Sequence, residues 1–207
     1  MKNSLRLLKI ISLFATVFGI GCLNTGCIPN ETDQPATNSA DIPMVVVDLS
    51  TPRASFESLA TAISSDDHAA RLACLTTTEK NREAGVAALN LMQLAVKSPS
   101  EGDRFLKILD DHGLSQQTIN RAMTSYGAGS VGMPGFTEKI GEKIHDLPQF
   151  HDKISKIATR TPIQELSFIS ANPDNNQMLG RIKIGNREAV ITFRQIGDEW
   201  LIDSPIH

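Results

Sequence analysis

The stretch Arg187–Ser204, REAVITFRQIGDEWLIDS, decides the fold. On the two-residue strand period Ala189, Ile191 and Phe193 share one face, with Val190, Thr192 and Arg194 on the other. Gly197-Asp198 supplies a turn, and on the return Trp200 and Ile202 alternate with Leu201 and Asp203. The segment is expected to close a small sheet as a hairpin. Trp200, the sole tryptophan, is expected to plug the core, because an indole buries roughly 150–250 Å².

Working back from the hairpin, Met178–Ile184 reads as a second strand, with Ile182 and Ile184 opposite Arg181 and Lys183. Gly185-Asn186 joins the two, Gly first, as a type II′ turn requires. Residues 163–171 make the first strand, and Asn172–Asn176 is expected to be an open turn. Upstream lies helix. Thr51-Pro52 is a helix start, with Phe56, Leu59, Ala60 and Ile63 on one stripe. Ser64-Ser65-Asp66-Asp67 breaks that helix and caps a second carrying Leu72 and Ala73, and Thr76-Thr77-Thr78 caps a third. That third helix, apolar nearly all round from Ala84 to Val96, is expected to be buried on more than one side. Helices from Glu101 to His112, from Leu114, from Phe136 and from Pro148 follow, with Gly127–Gly135 as a break. Helices first and an antiparallel meander last predicts α+β: a helical section over 51–160 packed on a sheet of about four strands over 163–204.

The first 21 residues carry a different message. Met1–Lys9 is basic, and Ile10–Ile20 is an uncharged apolar run too short to span a bilayer as a helix. Phe18-Gly19-Ile20-Gly21-Cys22 looks like the lipobox of bacterial lipoproteins, which are cut before a cysteine that is then acylated. Cys22 is the expected lipidation site. Cys27 is the alternative, although Leu23-Asn24-Thr25-Gly26 puts polar Asn24 where an apolar or small residue is usual. Ordinary secretion, with cleavage near Gly21 or Gly26, is the plainer reading. Residues 1–21 are thus a signal peptide, 22–50 a lipidated tether and 51–207 a single domain. Ile28 to about Val47 is rich in Pro, Asn, Thr and Asp and would reach roughly 25 Å as a coil and about 70 Å stretched, with Val45-Val46-Val47 at its end read as a short edge strand or docked linker. More than one acyl chain would anchor the protein firmly. The expected location is the cell envelope, extracytoplasmic, on the periplasmic face or the cell surface.

Removing Lys2, Arg6 and Lys9 with the leader takes the net charge from −3 to −6. A mildly acidic chain lacks the basic footprint of a nucleic-acid binder, so no nucleic-acid partner is expected. With one cysteine assigned to lipid, the three present imply no disulfide framework, and Cys74 reads as a small buried hydrophobe.

Thr51-Pro52, Phe56, Leu59, Asp66-Asp67, Cys74-Leu75-Thr76, His112-Gly113-Leu114 and Ile191–Asp203 together resemble exported proteins and lipoproteins of planctomycete-type bacteria, a family with no activity attached. More distantly, the Pro-capped helix pair and the terminal Trp200-Leu201-Ile202-Asp203 strand are similar to the nuclear transport factor 2-like cone fold. That likeness implies a curved sheet around a helix, enclosing a pocket. Enzymes of that superfamily use pocket Asp and His residues; none is matched here, so none is carried over. The chain also departs from the cone in its long helical section over 78–160.

Chemical candidates read blandly. Gly127-Ala128-Gly129-Ser130-Val131-Gly132 spells GxGxxG, but a helix precedes it where the dinucleotide motif needs a strand. His145 and His151, with Asp146 and Asp152, lack the one-turn spacing of a helical metal pair and read as solvated helix ends. Asp110-Asp111-His112 and Asp66-Asp67-His68 read as helix caps. Arg181, Lys183 and Arg194 read as a charged sheet face, with an anionic partner as the sharper alternative. No catalytic residue, cofactor or metal ligand is assigned. The expected function is a membrane-tethered binding domain for a protein or small molecule; the alternative is a small-pocket hydrolase or isomerase of the cone kind.

Overall fold

A computed structural model describes residues 45–127, 132–157, 165–174 and 177–203. Among them, seven helices precede four strands: α1 Pro52–Ser64, α2 His68–Ala73, α3 Thr77–Lys97, α4 Pro99–Asp111, α5 Gln116–Gly127, α6 Met133–Gly141, α7 Leu147–Ser155, then β1 Leu166–Asp174, β2 Gln177–Ile184, β3 Arg187–Ile196 and β4 Glu199–Ile202. The expected α+β architecture is the observed one.

The caps sit where the sequence puts them. Thr51 Oγ1 accepts from Ala54 N at 3.1 Å with Pro52 in the first turn, Asp67 accepts from Ala70 N at 2.9 Å, and Thr76 accepts from Glu79 N at 3.3 Å. Each satisfies a backbone donor that the helix itself leaves unpaired.

The sheet is an antiparallel meander in the order β1-β2-β3-β4. Gly185 (φ 56°) and Gly197 (φ 62°) take positive φ at the first of two turn residues while Asn186 and Asp198 do not, the type II′ pattern. Ile182, Ile191, Phe193 and Ile202 point inward and pack with Phe56 and Leu59 of α1 and with Leu72, Cys74 and Leu75. The link from α2 to α3 extends the sheet by a single parallel bridge: Ile202 N donates to Cys74 O at 2.9 Å, and Thr76 N to Ile202 O at 2.8 Å. Thr76 Oγ1 also donates to Asp203 Oδ1 at 2.9 Å, so one threonine caps α3 and secures the last strand.

A second core is wholly helical. Ala84, Ala87, Ala88 and Leu91 of α3 pack with Phe105 and Leu109 of α4, Ile119 of α5, Phe136 and Ile140 of α6, and Phe150 and Ile154 of α7. The backbones of α3 and α6 touch. A Cβ on Gly85 would lie 1.9 Å from Thr137 O, and one on Gly141 would lie 1.7 Å from Asn81 O. The pairing of 85 with 137 and 81 with 141 makes the two helices antiparallel.

Several expectations need correction. Trp200 is only partly buried, packed at the margin of the sheet core, because its strand partner is exposed Gln195. Phe193 and Ile202, paired across β3 and β4, fill the position expected of it. Asn172, Pro173 and Asp174 belong to β1, paired with Leu179, Met178 and Gln177, and not to an open turn. Pro173 is tolerated there because β1 is an edge strand. Met133–Gly135 starts α6, with Pro134 in the first turn, where the break was expected to continue. Val96, at the end of α3, is 81% exposed, so the all-round burial ends before the last turn. Ahead of residue 51, of the two readings of Val45–Val47, an edge strand or docked linker, the structure has the docked linker. Val45 N donates to Asp67 Oδ2 at 3.3 Å, Asp48 N to Ser58 Oγ at 2.9 Å, and Trp200 N to Leu49 O at 2.8 Å. The end of the expected tether thus lies against α1 and β4.

Candidate functional site

The chemically distinctive place in the fold is the seam between the two cores. His68 and Arg71 lie one turn apart on α2, and Glu79 and Glu83 lie one turn apart on α3. His151 comes from α7. Arg71, Glu79, Glu83 and His151 are all buried. Buried charges of this kind are uncommon unless paired.

Arg71 is the hub. Its Nη2 lies 3.0 Å from Glu83 Oε2 and 3.3 Å from His151 Nδ1. A guanidinium can only donate, so His151 Nδ1 accepts and its proton resides on Nε2. Across the ring, His68 stacks on His151 with centroids 6.1 Å apart. Neither Glu83 oxygen receives a hydrogen bond, so the Arg71–Glu83 contact is an ion pair whose N–H directions miss the carboxylate. Arg71 Nε, His68 Nε2 and His151 Nε2 are likewise buried without a hydrogen-bond partner. His68 Nε2 stands 3.7 Å from Asp66 Oδ1, beyond hydrogen-bonding reach. A turn further back, Arg82 Nη1 holds Glu79 Oε2 at 2.6 Å.

This environment moves protonation equilibria. Burial, then the Arg71 charge and the neighbouring His68, hold the His151 imidazole well below its ordinary range. Burial and Arg71 lower His68 as well, against the pull of Asp66, Asp152 and Asp67. Burial raises Glu83, with Arg71 opposing, and pushes Glu79 up to about 7 despite Arg82. Both histidines are therefore neutral near pH 7. The cluster can take up protons as pH falls, and it joins α2, α3 and α7.

The other candidates resolve as follows. His151 is buried, correcting the reading of a solvated helix end, whereas His145 is exposed as expected. His112 is the residue at the end of α4 but is buried: its Nδ1 donates to His145 O at 2.9 Å and its ring meets Phe150 edge-on at 5.3 Å. Asp67 is the α2 cap, while His68 turns into the cluster. Cys74 is free and fully buried, and burial raises its thiol to about 11, fitting a hydrophobe. Arg181 pairs with Glu188 and Arg194 with Asp203, so the sheet face is mixed in charge where a basic one was considered. Gly127 ends one helix and Met133 begins the next, so the GxGxxG letters lie between helices, with 128–131 outside the described residues. Cys22 and Cys27 also lie outside them. Among the described residues no group of three His, Cys, Asp or Glu could hold a metal, and no helix is long and apolar enough to cross a membrane.

Sequence reasoning missed the Arg71 hub. A signal was present: Glu79 and Glu83 fall on the same i, i+4 line as buried Ala87 and Leu91, which puts carboxylates in an apolar stripe. Compared with protein-family models, curated proteins and solved structures, the chain matches none.

Proposed function

We propose that this chain is an extracytoplasmic lipoprotein, acylated at Cys22 with Cys27 as the alternative, whose α+β domain binds a protein or small molecule rather than catalysing a reaction. One observation supports the binding reading. The groups whose ionisation burial displaces lie inside the fold: His68, Glu79, Glu83 and His151 along α2, α3 and α7, and Cys74 in the sheet core. Catalytic acids, bases and nucleophiles must instead meet substrate in an accessible site. The lipid reading rests on Phe18–Cys22 closing an apolar run, with a Pro- and Asn-rich stretch leading to the docked residues from Val45. The hydrolase or isomerase alternative draws on Glu79, whose carboxyl titrates near neutrality, the range suited to general acid–base work.

Labelling bacteria that express the full chain with an alkynyl fatty acid tests the anchor. Label is expected on the wild type and on Cys27→Ser, and lost in Cys22→Ser. Loss only in Cys27→Ser moves the lipid to Cys27, and an unlabelled wild type overturns the lipoprotein reading. In-cell photo-crosslinking from exposed Val190 tests the binding reading. A discrete adduct that a competing unlabelled domain abolishes supports it, and no competable adduct from any exposed position counts against it.

A further inference from the structure

We propose that the His68–Arg71–His151–Glu83 cluster is an acid-operated latch between the sheet core and the helical core. The inference is independent of whether the chain is lipidated. It rests first on placement. Helix α2 belongs to the sheet core through Leu72, whereas α3 and α7 belong to the helical core through Ala84, Ala87, Phe150 and Ile154. Among the described residues, Leu147 packs against both cores. The buried contacts of Arg71 add a polar tie from α2 to α3 and α7, beside the short chain link Cys74–Thr76.

The second support is the chemistry of the His151–Arg71 contact. His151 holds its place by accepting from Arg71 through Nδ1. A proton added at Nδ1 removes that acceptor and sets an imidazolium against a guanidinium 3.3 Å away, both largely withdrawn from water. Like charges in a dry site repel strongly. The stacked His68 ring places a second titratable imidazole beside the first.

Every charged group around the pair enters the balance. From α2 come Arg71 and His68, with Asp66 and Asp67 just before it; from α3 come Glu83, Glu79 and Arg82; from α7 comes Asp152 beside His151. The aspartates favour a protonated His68, but burial and Arg71 outweigh them. For His151 burial, Arg71 and His68 all act in one direction. A histidine depressed in the closed state contributes stability that is complete above the ordinary value of 6.5 and lost as pH falls below it. Glu79 and Glu83 act in the opposite sense: burial raises both, so their proton uptake favours the closed state. Replacing His151 alone separates the two contributions.

The test is hydrogen exchange of the full chain in detergent micelles from pH 7.5 to 5.0, corrected for intrinsic exchange, on wild type and His151→Gln. Glutamine can accept from Arg71 but does not titrate. The ratio of α7 protection in wild type to that in the variant is expected to fall by up to about tenfold per pH unit below 6.5, as uptake of one proton requires. Strands β2 and β3 are expected to keep their ratio. A flat α7 ratio, or an equal fall in β2 and β3, overturns the latch. Should His151→Gln not fold, the wild type alone decides: protection lost in α2 and α7 ahead of β2 and β3 supports the latch, and uniform or absent loss refutes it.

Discussion

Arg71 of α2 stands 3.0 Å from Glu83 of α3, and both side chains are almost completely withdrawn from water. The pair spans the boundary between two apolar clusters, so its location says more than its strength. Removing two charges from water costs several kcal/mol each, and attraction inside the protein repays this only in part. The net contribution of such a pair over an apolar substitute is small. What it does is fix how α2 meets α3: a shifted register would leave a charge buried alone.

The contact between α3 and α6 predicts sharp intolerance at two glycines. Gly85→Ala and Gly141→Ala each drive a methyl into backbone, onto Thr137 O and Asn81 O. Backbone cannot swing aside as a side chain can. Each variant is expected to lose about 1–3 kcal/mol or more in urea denaturation. A loss below about 0.5 kcal/mol in both would mean that the helices stand further apart.

The division of labour in the closing hairpin is measurable. Phe193 is fully buried while Trp200 is partly buried at the margin. Phe193→Ala is expected to cost about 3–5 kcal/mol, and Trp200→Ala about 1–2 kcal/mol. The reverse order in chemical denaturation would restore the tryptophan as the core plug.

Glu79 gives a pH signature of defined sign. Burial raises its carboxyl from 4.5 to about 7, so ionised Glu79 weakens the fold at high pH. Between pH 7 and 4.5 the folded chain takes up this proton while the unfolded chain does not, which strengthens the fold as pH falls. Glu79→Gln removes the effect and is expected to be at least as stable as wild type at pH 8, with the advantage gone by pH 4.5. A variant weaker than wild type by more than about 1 kcal/mol at pH 8 would mean that the Arg82 contact outweighs burial.

Much of this fold could be read from residues with strict local demands. Thr51, Asp67 and Thr76 cap the helices they precede, and Gly185 and Gly197 sit where II′ turns need positive φ. Inward Ile191, Phe193 and Ile202 follow the two-residue period. Long-range partnership left no local trace. Arg71 and His151 meet across 80 positions of sequence, and nothing near either one names the other. Trp200 departs from its expected place for a related reason: side-chain size says how much surface a ring can bury, while register decides what faces it. His151 follows a proline-marked helix start that looks solvated, and the packing of α7 against α2 and α3 buries it.

The most direct measurement of the seam is a double-mutant cycle on Arg71→Met and Glu83→Leu, followed by urea denaturation at pH 7.5. Each single change strands a buried charge and is expected to cost about 3–5 kcal/mol, whereas the double variant is expected to lose less than either, giving a coupling of more than about 3 kcal/mol. Losses that add to within about 0.5 kcal/mol would contradict the account, because two residues that do not feel each other cannot be what ties α2 to α3.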